Sequence, residues 1–200
     1  MKASISARAI GGLLLAGLML APSVSTAAES DGLTGARLEI ALADGEGRVV
    51  SLADPRYRGK VVVLTLGGAW CVSCHVEARF LVPWAAKRAR DDLAVIGLHF
   101  EYPDDPKAAR ALIDGFARRY RIPWPLLLAG KPTSRSVAAA LGGRGAVKSL
   151  PTTILIGRDG RVRDVHSGWD EKGADSVPAA AQAAFEAKVD RLLAEPAPPG

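Results

Sequence analysis

The sequence predicts an α/β domain, with one mixed central sheet flanked by helices. Three observations carry this. VVVLTL (61–66) and LAVIGLHF (93–100) are continuous apolar runs rich in β-branched residues, the pattern of strands buried on both faces. Helical patterns follow each of them, and strand–helix–strand crossovers make this part of the sheet parallel. TTILI (152–156), then Asp159-Gly160, then RVRDVH (161–166) reads as two strands joined by a tight hairpin, which adds antiparallel strands.

Taken in order, the chain begins with Lys2 and Arg8, an apolar run GGLLLAGLMLA, and the small residues of SVSTAAES. That is the layout of a secretory signal peptide spanning 1–27, with cleavage after Ala27. The apolar run falls short of the roughly 20 residues of a membrane span, and no cysteine follows it to carry a lipid. Residues 28–195 are expected to form one domain, and 196–200 a disordered tail. Leu38, Ile40 and Leu42 alternate, turn residues follow at Asp44–Gly47, and Val49-Val50 resume an extended run: an N-terminal β-hairpin. From Cys71 the pattern turns helical, with Val76, Phe80 and Trp84 on one stripe and Pro83 expected to kink or divide the helix near Val82. Asp105 caps a second helix with Pro106 at its first position and Leu112, Phe116 and Tyr120 as its apolar stripe. PLLLAG gives a short strand, SRSVAAALGG a short helix, and Val177, Ala181, Phe185, Val189 and Leu192 a closing amphipathic helix.

Without Lys2 and Arg8 the chain carries 24 bases against 21 acids, a net charge near +3. KRAR (87–90) is followed at once by Asp91-Asp92, so it reads as a solvated helix face and not as a nucleic-acid patch. The two cysteines, Cys71 and Cys74, are three positions apart. A bridge closing so short a loop contributes about 2 kcal/mol on the entropy model, so this pair is placed for chemistry.

WCVSCH (70–75) fits two chemistries, a redox dithiol and the attachment of a c-type haem. A haem needs a second axial ligand; the methionines, Met1 and Met19, lie in the segment to be removed, which leaves His99 and His166, each within or at the end of a predicted strand. The motif also follows an apolar strand, which suits the dithiol better. A helix starting at Cys71 would hold its sulfur as a thiolate against unpaired N–H groups and the helix dipole. Cys71 is then the exposed nucleophile, and the more covered Cys74 resolves the mixed disulfide.

GKVVVLTLGGAWCVSCHVE (59–77) followed by SLPTTILIGRDGRV (149–162) resembles the thioredoxin superfamily. Within it the match is to the exported TlpA-like or redoxin branch, related to alkyl hydroperoxide reductase and thiol-specific antioxidant domains. It spans about residues 33–193 and implies a thioredoxin-like fold. The resemblance implies that Cys71 and Cys74 are catalytic and that Trp70, Leu150, Pro151 and Thr152 meet substrate, with Pro151 in the cis form. It also implies that Glu77 moves the proton of Cys74. His75, four residues after Cys71, would favour the thiolate when protonated. Three positions depart from the pattern: Arg79 where the branch often has proline, Thr65 where thioredoxin has a buried carboxylate, and Val72-Ser73 inside the redox pair. Glu101, just past the second strand, could face the active-site end of the sheet, but reads first as a loop carboxylate.

The expected function is that of an exported, periplasmic thiol-disulfide oxidoreductase reducing protein disulfides. It would draw electrons from a membrane-bound thiol reductant and need no cofactor or metal. Two other readings stand beside it. A peroxiredoxin-like peroxidase shares the scaffold, but Gly68 replaces the Thr or Ser that would help bind peroxide three residues before Cys71. A Sco-like copper protein could use thiolates with His75, His99 or His166, but that family spaces its cysteines more widely.

Overall fold

The computed structural model describes residues 32–88, 92–144, 147–169 and 175–198. The expected signal peptide lies outside the described residues. A hairpin of β1 (Ala41–Ala43) and β2 (Val49–Ser51) comes first, with Asp44 accepting from the backbone N–H groups of Glu46 and Arg48 at the turn. The main sheet follows: β3 (Val61–Gly67), α1 (Val72–Lys87), β4 (Leu93–Phe100), α2 (Pro106–Tyr120), β5 (Leu126–Gly130), α3 (Ser134–Ala140), β6 (Thr152–Ile156), β7 (Val162–Ser167) and α4 (Ala179–Ala194). Its strand order is β5-β4-β3-β6-β7, parallel across β5-β4-β3 and antiparallel across β3-β6-β7.

The central strand β3 is buried at every position, which is why VVVLTL lacks alternation. Its even residues Val62, Leu64 and Leu66 pack with Ile96, Leu98, Ile154, the hairpin's Leu38, Ile40 and Val50, and Val137 of α3. Its odd residues face α1 and α4, where Val61 and Val63 meet Phe80, Leu81, Trp84, Phe185, Val189 and Leu192. The odd face changes character along the strand. Val63 is flanked by Val95 and Leu155, but Thr65 by Gly97 and Thr153, and Gly67 by His99. The sheet therefore turns from apolar to polar toward the start of α1.

Two local expectations are corrected. α1 runs unbroken through Pro83. Phe80, Leu81 and Trp84 anchor the helix on both sides of the proline, and Pro83 itself lies on the exposed face. In α2 the buried stripe is Ala109, Ile113 and Phe116, whereas Leu112 is 45% exposed. Asp105 caps α2 as expected, accepting from Lys107 N at 3.2 Å and Ala108 N at 3.3 Å. Among the described residues no helix is long and apolar enough to cross a membrane.

Candidate active site

Strand β3 ends at Gly67, and after three intervening residues Cys71 caps α1. Gly68 is required by space: a Cβ there would lie 2.4 Å from Trp70 Nε1 and 2.7 Å from the Phe100 carbonyl oxygen. The Trp70 indole donates to that same carbonyl at 2.8 Å. The Ala69 peptide is held from both sides. Its N–H donates to Glu101 Oε1 at 2.8 Å, and its carbonyl lies 2.9 Å from His75 Nε2. The other ring nitrogen of His75 meets the Tyr120 hydroxyl at 2.7 Å. With Nε2–H donating to Ala69, Nδ1 accepts from Tyr120, so both nitrogens of His75 are engaged away from the sulfurs.

Cys71 is the N-cap of α1, in extended conformation, and its Sγ accepts from Cys74 N at 3.3 Å. The two cysteines form a disulfide with Cα atoms 5.2 Å apart. In this oxidised form both are covered, Cys71 at 6% and Cys74 at 3% exposure. The sequence predicts an exposed Cys71; the ring closed between the N-cap and the first turn tucks its sulfur in. Exposure is instead concentrated in the neighbours, Trp70 at 42%, Val72 at 79% and Tyr102 at 61%, with the Trp70 and Tyr102 rings 5.1 Å apart.

The Leu150–Pro151 peptide is cis. Thr152 pairs with Leu66, so Pro151 stands at the Gly67 end of β3, and its carbonyl accepts from Gly168 N at 2.8 Å. Leu150 is half-buried. Thr152, counted among the substrate-meeting positions, has a wholly buried side chain: its hydroxyl donates to the Ser149 carbonyl at 2.7 Å and lies 2.9 Å from Ser167 Oγ. It fixes the turn that presents Pro151 and is not itself presented.

Glu77 lies one turn past Cys74, buried at 5% exposure. Its Oε1 accepts from Thr153 Oγ1 and from Trp169 Nε1, each at 2.6 Å. Burial pushes its carboxyl up to about 7, against the two hydrogen bonds, which favour the charged form. Beneath the cysteines a cavity of about 20 Å³ is lined by Cys74, Glu77, Thr65 and His99, with Gly67, Phe116 and Trp124 among the other walls. A single water needs about 10–15 Å³ on this measure.

Two of these residues escaped the sequence reading, and two were read in another role. Thr153 and Trp169 reach Glu77 from 76 and 92 positions away. The one available signal was strand alternation, which puts Thr153 on the same face of β6 as Leu155. His99 and Glu101 are the others. Glu101 is no loop carboxylate: it is 1% exposed, with His99 Nδ1 at 3.3 Å from its Oε1. Among the described residues no group of three His, Cys, Asp or Glu side chains is placed to hold a metal ion.

A five-stranded mixed sheet, a cis proline at the Gly67 end of its central strand, and a Cys-x-x-Cys disulfide capping the first helix define a dithiol protein of thioredoxin-like fold. The model of the Redoxin family matches residues 19–183, and the chain belongs to that family. Thiol-disulfide oxidoreductase ResA of Geobacillus thermodenitrificans is 33% identical over 134 residues, which are 65% of this chain and 66% of that protein. The chain thus matches just under two thirds of that relative's length. Among solved structures, a DsbF homologue from Corynebacterium diphtheriae has a TM-score of 0.56 at 26% identity, covering 78% of this chain and 85% of that one. A thioredoxin-family thiol:disulfide interchange protein from Chlorobium tepidum TLS gives 0.57 at 18% identity, over 80% and 97%, a likeness of fold.

Proposed function

We propose that the protein is an exported thiol-disulfide oxidoreductase that reduces disulfides in other proteins. The observation that carries this is the Cys71–Cys74 disulfide at the N-cap of α1. In the reduced form the N–H of Cys74 and the positive end of the helix favour a thiolate at Cys71. That thiolate attacks one sulfur of the substrate disulfide and forms a mixed disulfide, releasing the other substrate thiol. Cys74 must then lose its proton to attack Cys71. Glu77 is the acceptor we assign, since it shares a cavity with Cys74 and its carboxyl changes charge near neutral pH. Attack by Cys74 restores the internal disulfide and frees the reduced substrate.

Trp70, Val72 and Tyr102 offer an apolar rim to an incoming polypeptide, and Leu150-Pro151 its opposite side. A membrane-bound thiol reductant would return two electrons to the disulfide, and the leader-like N-terminus supports action in the periplasm. The tight packing at Gly68 weighs against a peroxidase, because it leaves no room for a hydroxyl-bearing side chain there. The reduced protein should cleave a model protein disulfide such as that of insulin. Cys71→Ser should abolish this, and Cys74→Ser should accumulate a mixed disulfide on non-reducing gels. Full turnover by Cys71→Ser would end the proposal.

A further inference from the structure

We infer that His99, oriented by Glu101, is a second proton acceptor for Cys74. The inference deepens the dithiol reading above and rests on it.

His99 and Glu101 are 4% and 1% exposed, at and just past the end of β4, where a buried imidazole and a buried carboxylate need a reason. Glu101 Oε1 receives Ala69 N–H and faces His99 Nδ1, while Oε2 has no partner among the described residues. A carboxylate at Nδ1 fixes the hydrogen on that nitrogen and leaves Nε2 as the acceptor. The ring is packed edge-on against Phe116 at 5.1 Å between centroids, and its Cδ2 side is turned toward Gly97, whose added Cβ would lie 3.8 Å away.

Register places this imidazole beside the resolving sulfur. A Cβ added to Gly67 would stand 3.0 Å from Cys74 Sγ, so the sulfur sits directly over Gly67. Gly67 pairs with His99 across β3 and β4, which puts His99 on the same face, about one strand spacing (~4.8 Å) to the side. Cys74, His99, Glu77 and Thr65 line the same cavity, whose volume of about 20 Å³ suits one bridging water. Thiol, imidazole and orienting carboxylate are the parts of an activated cysteine. The groups facing His99 are Cys74 and Glu77 from α1, Thr65 from β3, Glu101 beyond its own strand, and apolar Leu126 and Leu128 from β5. From α2 comes Phe116, whose ring also meets Tyr120 and His75.

In the resolving step the Cys74 S–H bond breaks and its proton passes to His99 Nε2 through the water. The Cys74 thiolate attacks Cys71 Sγ, the Cys71–Cys74 bond forms, and the bond from Cys71 to the substrate sulfur breaks. That sulfur leaves with the electron pair and takes the proton back from the imidazolium. The substrate disulfide has gained two electrons, and the dithiol has lost two.

The test compares insulin reduction against pH for the wild type, Glu77→Gln, His99→Asn and the double variant, with Cys71 alkylation in the reduced protein as a control. Glu77→Gln should retain a pH-dependent residual rate. Adding His99→Asn should lower that rate by about tenfold or more and flatten its profile, with Cys71 alkylation changed less than about twofold. Glu101→Gln, which keeps an oxygen for the Ala69 N–H, reads the same step without altering the imidazole, and serves if His99→Asn does not fold. In the Glu77→Gln background it should also depress the rate. Unchanged rates and profiles on adding His99→Asn or Glu101→Gln, in proteins that keep the disulfide and the native circular dichroism, would overturn the inference alone. An inert wild type would overturn the dithiol reading and this inference with it.

Discussion

Replacing Glu77 with Gln should stabilise the oxidised protein above neutral pH and leave it nearly unchanged at pH 4. Burial raises the carboxyl from 4.5 to about 7 in the folded chain. The folded state therefore holds a proton that the unfolded state releases from about pH 4.5 upward. Stability is fully present below the unfolded value, declines as pH rises between the two, and carries the whole cost above about 7. A shift of that size corresponds to about 3 kcal/mol. Gln cannot ionise, yet its amide oxygen can still accept from Trp169 or Thr153. The gap between variant and wild type should open from near zero at pH 4 to about 3 kcal/mol at pH 8, or roughly 6–12 °C in Tm for a chain of this size. Thermal melts of both oxidised proteins by circular dichroism from pH 4 to 8.5 would measure it, and every other titrating group cancels in the difference. Parallel curves, or a gap widest in acid, would refute a buried carboxyl that prefers its proton.

Three further outcomes are expected. Gly68→Ala should cost about 1–3 kcal/mol in urea denaturation and slow disulfide exchange, because its methyl would displace the Trp70 indole from the Phe100 carbonyl; wild-type behaviour in both assays would show the loop to be looser than described. Trp169→Phe removes a donor that favours the charged Glu77, so the carboxyl should rise further and the pH dependence of the melts should move to higher pH, never lower. Asp105→Ala removes the acceptor of two N–H groups at the start of α2 and should cost about 1 kcal/mol in denaturation, with exchange rates unaltered.

The order of strands and helices was legible because VVVLTL and LAVIGLHF fill a sheet covered on both faces and leave no other reading. The stripe of α2 was misplaced for a physical reason: Leu112, Phe116 and Tyr120 share the helical spacing of Ala109, Ile113 and Phe116, and only the sheet decides which side is inward. Proline at position 83 predicts a break by local rules, while Phe80 and Trp84 hold the helix to the core across it. The cysteine pair and the cis proline were readable because a short motif carries each. The surroundings of Glu77 and the burial of Glu101 were not, since they depend on β3 pairing with β6 and β4 in one register. A carboxylate following a strand looks solvated until a loop thirty-two residues away lays its N–H on it.

Trp169 also makes an optical probe of the site. Its indole nitrogen rests on the Glu77 carboxyl, while its ring lies against Phe80 and Phe185 at 5.2 Å and His166 at 4.9 Å. Indole emission responds to charge beside the ring, so the intrinsic fluorescence of a variant retaining only this tryptophan should report the ionisation of that carboxyl during turnover. No label need be attached to follow it.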